Sequence, residues 1–145
     1  MKIVLQRVQK AKCTVDENIT GEIKQGYCLL VGYTVGDDEQ KNLKAAKKIA
    51  NLRIFEDENG KMNLDIKKVR GKILAISQFT LYANTNEGNR PSFTDALNPV
   101  MANQLYIDFC QQLRTFDLDV AEGIFGAHMD IELINDGPVT IMFEF

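Results

Sequence analysis

Ser77, Gln78, Phe79 and Thr80 place two hydroxyls and a carboxamide directly after four apolar side chains, Ile73 to Ile76. A strand end combines a rigid backbone with access to solvent, which suits a site. Thr80 can serve as a nucleophile only if a base activates it, and no base stands nearby in the sequence. These residues are also what a strand shows where it surfaces, so both readings stand. Alternation predicts Ser77 and Phe79 on one face, Gln78 and Thr80 on the other. A second candidate is Gly88 to Phe93, where Arg90 can grip a phosphate and Phe93 can stack on a base. The competing reading tucks Phe93 into the core.

Elimination narrows the chemistry further. His128 is the only histidine, and it sits in a strand-like stretch that suggests a surface or hydrogen-bonded role outside the site. Cys13, Cys28 and Cys110 are odd in number and far apart, as expected of reduced thiols, and no Cys-x-x-Cys pair is present. A His/Cys zinc site and a Ser-His-Asp arrangement are therefore disfavoured. No metal or cofactor is implied. The net charge of −3, from 17 basic and 20 acidic side chains, argues against indiscriminate nucleic-acid binding. Local basic patches remain at Lys41 to Lys48 and at Lys67 to Lys72, each readable as a solvated face.

The elements that must position these residues form one domain, residues 1–145. Residues 1–15 read as a long strand, Asn18 to Gly21 as a turn, and Tyr27 to Val31 as a strand buried on both faces. Asp37 can cap a helix over about 38–52, with Leu43, Ala46, Ile49 and Ala50 as its apolar stripe. Residues 54–63 read as a hairpin around Asn59-Gly60. Ile73 to Ile76 is a buried strand that continues into Ser77, and residues 83–91 form a loop. Asn98 and Pro99 open a second helix to about 116.

The C-terminal third reads as strand, with Met129, Ile131 and Leu133 alternating, then Val139, Ile141, Phe143 and Phe145. Between them Asn135, Asp136, Gly137 and Pro138 read as a hairpin turn at the rim of a sheet. The apolar Phe145 suggests a packed last strand. Two helices among many strands, without regular βαβ alternation, predict an α+β fold with a barrel-like sheet. No apolar run is long enough to span a membrane, and the chain opens directly into a strand without a signal peptide. A cytoplasmic protein with no membrane association is expected.

Taken together, Gln6-Arg-Val8, Asn51-Leu-Arg-Ile-Phe-Glu56, Gly60-Lys-Met-Asn63, Ser77-Gln-Phe-Thr-Leu-Tyr-Ala83, Arg90-Pro-Ser-Phe93, Phe125-Gly-Ala127 and Asn135-Asp-Gly-Pro-Val-Thr140 resemble the D-aminoacyl-tRNA deacylases. The resemblance spans nearly the whole chain. The Ser-Gln-Phe-Thr and Gly-Pro segments are specific as a pair. Asn89 departs from the pattern, since the family's basic loop often carries a second arginine there.

The resemblance implies a homodimer with a barrel-like β fold and sites at the subunit interface. Such enzymes hydrolyse the ester between a D-amino acid and the 3′-terminal ribose of tRNA, and clear glycine mischarged on tRNA for alanine. By the match, Gly137-Pro138 is a cis peptide that enters the partner subunit's site, where its carbonyls reject L-side chains. A rigid backbone wall discriminates by clash alone, and glycine evades it. Ser77, Gln78, Phe79 and Thr80 are expected to line the pocket for the terminal adenosine and the ester. Thr80 is either the nucleophile, or the amides of Phe79 and Thr80 polarise the ester carbonyl while the ribose 2′-hydroxyl assists a water. The scarcity of bases favours the second. Arg7 is expected to hold the Gly-Pro backbone, with Asn135 in support and Met129 packed near it.

Overall fold

The computed structural model describes residues 1–86 and 88–145. Its organising strand is β1 (Lys2–Val15). On one edge β1 pairs antiparallel with β3 (Gly26–Gly32), from Lys2 opposite Gly32 to Val8 opposite Gly26, and farther along with β2 (Asn18–Ile23). Its other edge carries β8 (Asp130–Glu144) over nearly its whole length. Parallel pairing then adds β6 (Lys72–Ser77) to β3 and β7 (Val120–Glu122) to β6.

The sheet order β2-β1-β3-β6-β7, with β8 on β1, curls until β2 meets β7. Gly21 stands at this seam, where a Cβ would lie 2.8 Å from the Glu122 carbonyl oxygen, so only glycine permits the approach. The result is a nearly closed barrel-like sheet. Two helices, α1 (Glu39–Ala50) and α2 (Pro99–Arg114), pack against each other beside it. A separate small hairpin joins β4 (Phe55–Glu56) to β5 (Met62–Leu64).

Two apolar cores result. Ile3 and Leu5 of β1 join the larger one with Tyr27, Ile49 and Phe109, while Val8, Ala11 and Cys13 join the smaller one with Cys28, Leu74 and Ile76. The phase change between Leu5 and Val8 coincides with a register shift in the β1–β8 pairing. Arg7 lies at this change, 4% exposed. All three cysteines are free and buried, and burial pushes the thiols of Cys28 and Cys110 up to about 12. Phe145 packs on the larger core and donates its amide to the Met1 carbonyl.

Four local expectations are corrected. The first turn is at Asp16 and Glu17, both at positive φ, and Asn18 to Gly21 belongs to β2. Asp38, not Asp37, caps α1 by accepting from the Lys41 amide at 2.9 Å. The fully buried Asp37 carboxylate instead binds the N-terminal ammonium at 2.7 Å, the Lys41 ammonium and the Thr34 amide.

Ser77 ends β6, and Phe79–Tyr82 is a 3-10 helix, so the predicted strand alternation does not extend to Thr80. Finally, the C-terminal strands do not form a hairpin. Both halves run along β1 as one strand. Gln6 faces Thr140 and Val8 faces Asn135, so a step of two residues on β1 spans five on β8. The extra residues, with Gly137-Pro138, loop out as a wide bulge, a setting that tolerates proline's missing N–H.

Candidate active site

The bulge is braced from both sides. The Asn135 Oδ1 accepts from the Val139 amide at 2.8 Å, and its Nδ2 donates to Thr140 Oγ1 at 3.1 Å. Gln6 Nε2 reaches the same hydroxyl at 3.3 Å. From below, Arg7 Nε donates to the Asp136 carbonyl at 3.1 Å and lies 3.2 Å from its carboxylate, while Nη1 donates to the Ile54 carbonyl. Gly137-Pro138 is cis and exposed. Gly137 has φ +130, and a Cβ there would come within 2.7 Å of Val139 and 3.2 Å of Arg7 Nη2. Both the conformation and the space require glycine.

A cleft of about 600 Å³ opens elsewhere on the chain, where β6 ends. Ser77, Gln78 and Phe79 form one wall, Phe125 to Met129 another, and Phe93 with the start of α2 a third. Phe79 and Phe93 meet edge to face at 5.1 Å and remain 57% and 38% exposed. Phe93 is therefore neither buried in the core nor free in a loop. Its segment is held against β3 because Thr34 Oγ1 donates to the Asp95 carbonyl at 2.6 Å and the Leu97 amide donates to the Tyr33 carbonyl at 2.9 Å. Met129 reaches the wall across Gly123, where a Cβ would lie 2.5 Å from its sulfur. Size and lining suit a small ligand with a large apolar face.

The polar groups of the cleft are mostly backbone. The Gln78 amide is spent on Val31 and the Leu81 amide on Gln78, but the Phe79 and Thr80 amides find no acceptor among the described residues. They are the orphan donors at the start of a helical turn. Tyr33 and His128 are the titratable side chains among the lining residues. Burial drives the Tyr33 phenol far above its ordinary value, and it donates to Asn42 and to the Leu105 carbonyl. His128 sits at the rim, 96% exposed and 3.9 Å from Asp130. Thr80 Oγ1 accepts from Gln78 Nε2, so the only side chain it engages among the described residues is an amide that cannot act as its base. No cluster of three or more His, Cys, Asp or Glu side chains that could hold a metal occurs among the described residues.

The predicted residues thus fall into two groups. Ser77, Gln78, Phe79 and Met129 line the cleft, with Thr80 beside it on the same turn. Arg7, Asn135, Gly137 and Pro138 gather at the bulge and are not among the lining residues of the same chain. Met129 accordingly packs beside Gly123 in the cleft wall. Sequence reasoning missed Tyr33, His128 and residues 96–99 as cleft residues. The helix-opening signal of Asn98-Pro99 and the positive-φ Gly126 in the turn after Phe125 were the available hints.

Unpaired backbone donors beside a cleft lined by no carboxylate are groups able to donate hydrogen bonds to an oxyanion. A family model described as D-Tyr-tRNA(Tyr) deacylase matches residues 4–144. A protein of Lactobacillus gasseri named D-aminoacyl-tRNA deacylase is 53% identical over 144 residues, covering 99% of both chains. One of the same name from Deinococcus radiodurans is 51% identical with the same coverage. Among solved structures, one titled c-Myc DNA Unwinding Element Binding Protein superposes with TM-score 0.90 at 41% identity, covering 100% of this chain and 99% of the other. Another, titled a probable eukaryotic D-amino acid tRNA deacylase, has TM-score 0.86 at 16% identity over 98% and 97% of the two chains, and attests the fold. The chain belongs to the D-Tyr-tRNA(Tyr) deacylase family.

Proposed function

We propose that the protein hydrolyses the ester bond of D-aminoacyl-tRNA, and of glycine mischarged on tRNA for alanine, while leaving L-aminoacyl-tRNA intact. The observation that carries this reading is the pair of unpaired amides, Phe79 and Thr80, at the edge of an apolar cleft lined by no carboxylate and whose one histidine, His128, stands exposed at the rim. The terminal adenosine occupies the cleft, and its ester carbonyl oxygen meets the two amides. A water adds to the carbonyl carbon, its proton passing toward the neighbouring ribose 2′-hydroxyl, and the π electrons move onto the oxygen held by the N–H groups. Collapse of the tetrahedral intermediate expels the 3′-oxygen, which takes the proton, and frees amino acid and tRNA. Each such donor is worth about 2.7–4 kcal/mol in the transition state.

Chirality is assigned to the bulge of a second copy. Gly137 and Pro138 are exposed and are not among the residues lining the cleft of their own chain. Among the described residues β8 is paired only to β1, and its core-side residues Ile131, Leu133, Val139, Ile141 and Phe143 are only half-buried. A second copy laid on this strand would cover them and bring each bulge to its partner's cleft. There the carbonyls of Gly137 and Pro138 face the amino-acid α-carbon, an L-side chain collides with them, and glycine passes. Incubation with D-tyrosyl-tRNA and L-tyrosyl-tRNA tests the proposal. Release of D-tyrosine alone is expected; equal release from both, or tRNA binding without release from either, overturns it.

A further inference from the structure

The ridge formed by the 3-10 helix borders a second hollow at its other end. Phe79 borders the large cleft, while Tyr82, three residues on, borders a polar hollow of about 240 Å³ with Lys2, Asn84, Thr85, Asn86 and Asp95. A 3-10 helix rises about 2 Å per residue, so the two ends of the ridge are about 6 Å apart along its axis, a step within reach of neighbouring nucleotides. The segment 93–96 is shared in the same way, with Phe93 and Ala96 on the cleft and Asp95 in the hollow.

Several hydrogen-bonding groups in the hollow are uncommitted among the described residues. Asp95 uses its carbonyl to hold Thr34, but its carboxylate has no hydrogen-bond or ion-pair partner among the described residues. Asn84 accepts from the Asn86 amide through Oδ1 at 3.0 Å, which leaves its Nδ2 donors open, and its backbone is fixed by two bonds to Ser92. Lys2 Nζ lies 4.8 Å from the centre of the Tyr82 ring and is in no ion pair among the described residues. A carboxylate that accepts, an amide that donates and a cation at the edge match the Watson–Crick edge of cytosine together with its phosphate. Carboxylates accept from the cytosine amino group, and unpaired RNA ends are read on such edges. A uracil would turn a carbonyl oxygen toward Asp95 instead.

We infer that this hollow binds the cytosine preceding the terminal adenosine of the tRNA, with Asp95 accepting from its amino group, Asn84 donating to its ring acceptors and Lys2 facing the phosphate. The inference rests on the deacylase reading and extends it from the terminal nucleoside to its neighbour.

The test uses short RNA stems chemically acylated with D-tyrosine and ending in CCA or CUA, alongside the D-tyrosyl 3′-ester of adenosine alone. Wild-type protein should favour CCA over CUA about tenfold in kcat/KM, within the range for one good base contact. Asp95→Asn, whose carboxamide can donate to uracil, should reduce or invert that preference and leave the adenosine ester unchanged. Equal wild-type rates on CCA and CUA overturn the inference, as does a variant that slows all three substrates alike. If wild type hydrolyses the adenosine ester and both RNAs without preference, the hollow alone is misassigned. If it hydrolyses none of the three, the deacylase reading falls and this one with it.

Discussion

Replacing Arg7 with methionine should loosen the Gly137-Pro138 bulge without touching the cleft. Arg7 is 4% exposed and donates to two backbone carbonyls, Asp136 at 3.1 Å and Ile54, with its guanidinium 6.0 Å from the Phe55 ring centre. Hydrogen bonds from a charged donor contribute about 1.5–3 kcal/mol each, or about 3–6 kcal/mol for the two. A methionine stem packed on Phe55 returns about 1–2 kcal/mol through apolar burial. The expected net loss is about 1–5 kcal/mol, centred on about 3. With a central loss of about 3 kcal/mol and a mid-range urea slope of about 2 kcal/mol per molar, the unfolding midpoint should fall by about 1.5 M at unchanged slope, read at fixed protein concentration because association shifts such midpoints. Arg7→Lys, which can reach one carbonyl but not fork to both, should fall between. Below the denaturation midpoint, the ratio of D- to L-tyrosyl-tRNA hydrolysis should drop because the Asp136 carbonyl no longer anchors the neck. A stability loss below about 1 kcal/mol would refute the assignment of those bonds, and a full loss with undiminished D/L selectivity would refute the link between anchor and wall.

Other expectations follow from the same geometry. Phe79→Pro removes one of the two open amides, and Gln78, at φ −144 and ψ 80, is already outside the α region that a following proline disfavours; its kcat should fall about 100- to 1,000-fold below that of Phe79→Ala, which keeps the amide. Thr80→Ala should stay within about tenfold of wild type in kcat, since general-base-activated nucleophiles lose far more; a fall to background in a folded protein would restore the hydroxyl as nucleophile. Burial alone would raise the Asp37 carboxyl, but Lys41, the N-terminal ammonium and the Thr34 amide outweigh it and hold it below the usual range. A depressed folded value means stability that is present above the unfolded pKa, about 3.9, and lost as pH falls through the folded one. Urea titrations should show that acid-side slope in wild type and a shallower one in Asp37→Asn; identical slopes would remove Asp37 from the account.

Much of the framework was legible because it is local. The buried runs 27–31 and 73–76, the Asn59-Gly60 hairpin and the Asn98-Pro99 helix start carry their own signals, and all appear in the structure. What failed depended on partners. The odd-numbered apolar residues keep one phase from Ile131 to Phe145, and the turn chemistry between them suits a hairpin as well as a bulge. Only the pairing of both halves with β1 decides, and that is a long-range choice. Asp37 and Asp38 are equally good caps by type, but burial beside the N-terminus claims Asp37. At Ser77 to Thr80 the hydroxyls drew the eye to side chains, whereas the open groups are amides released by a 3-10 helix that alternation cannot foresee. Phe125 to Ala127 carry no local signal of the cleft wall they build, which exists only once the fold brings them to the same cleft as Phe79.

The central claim is that one site is made by two chains: amides from one, bulge from the other. Subunits carrying Phe79→Pro can be mixed with subunits carrying Gly137→Val, and heterodimer formation followed by native mass spectrometry. Each heterodimer would hold one site with both elements intact. The account predicts that D-selective release from tyrosyl-tRNA reappears in the mixture although neither parent shows it, with L-tyrosyl-tRNA still spared. Heterodimers that form and recover no D-selective activity would contradict it.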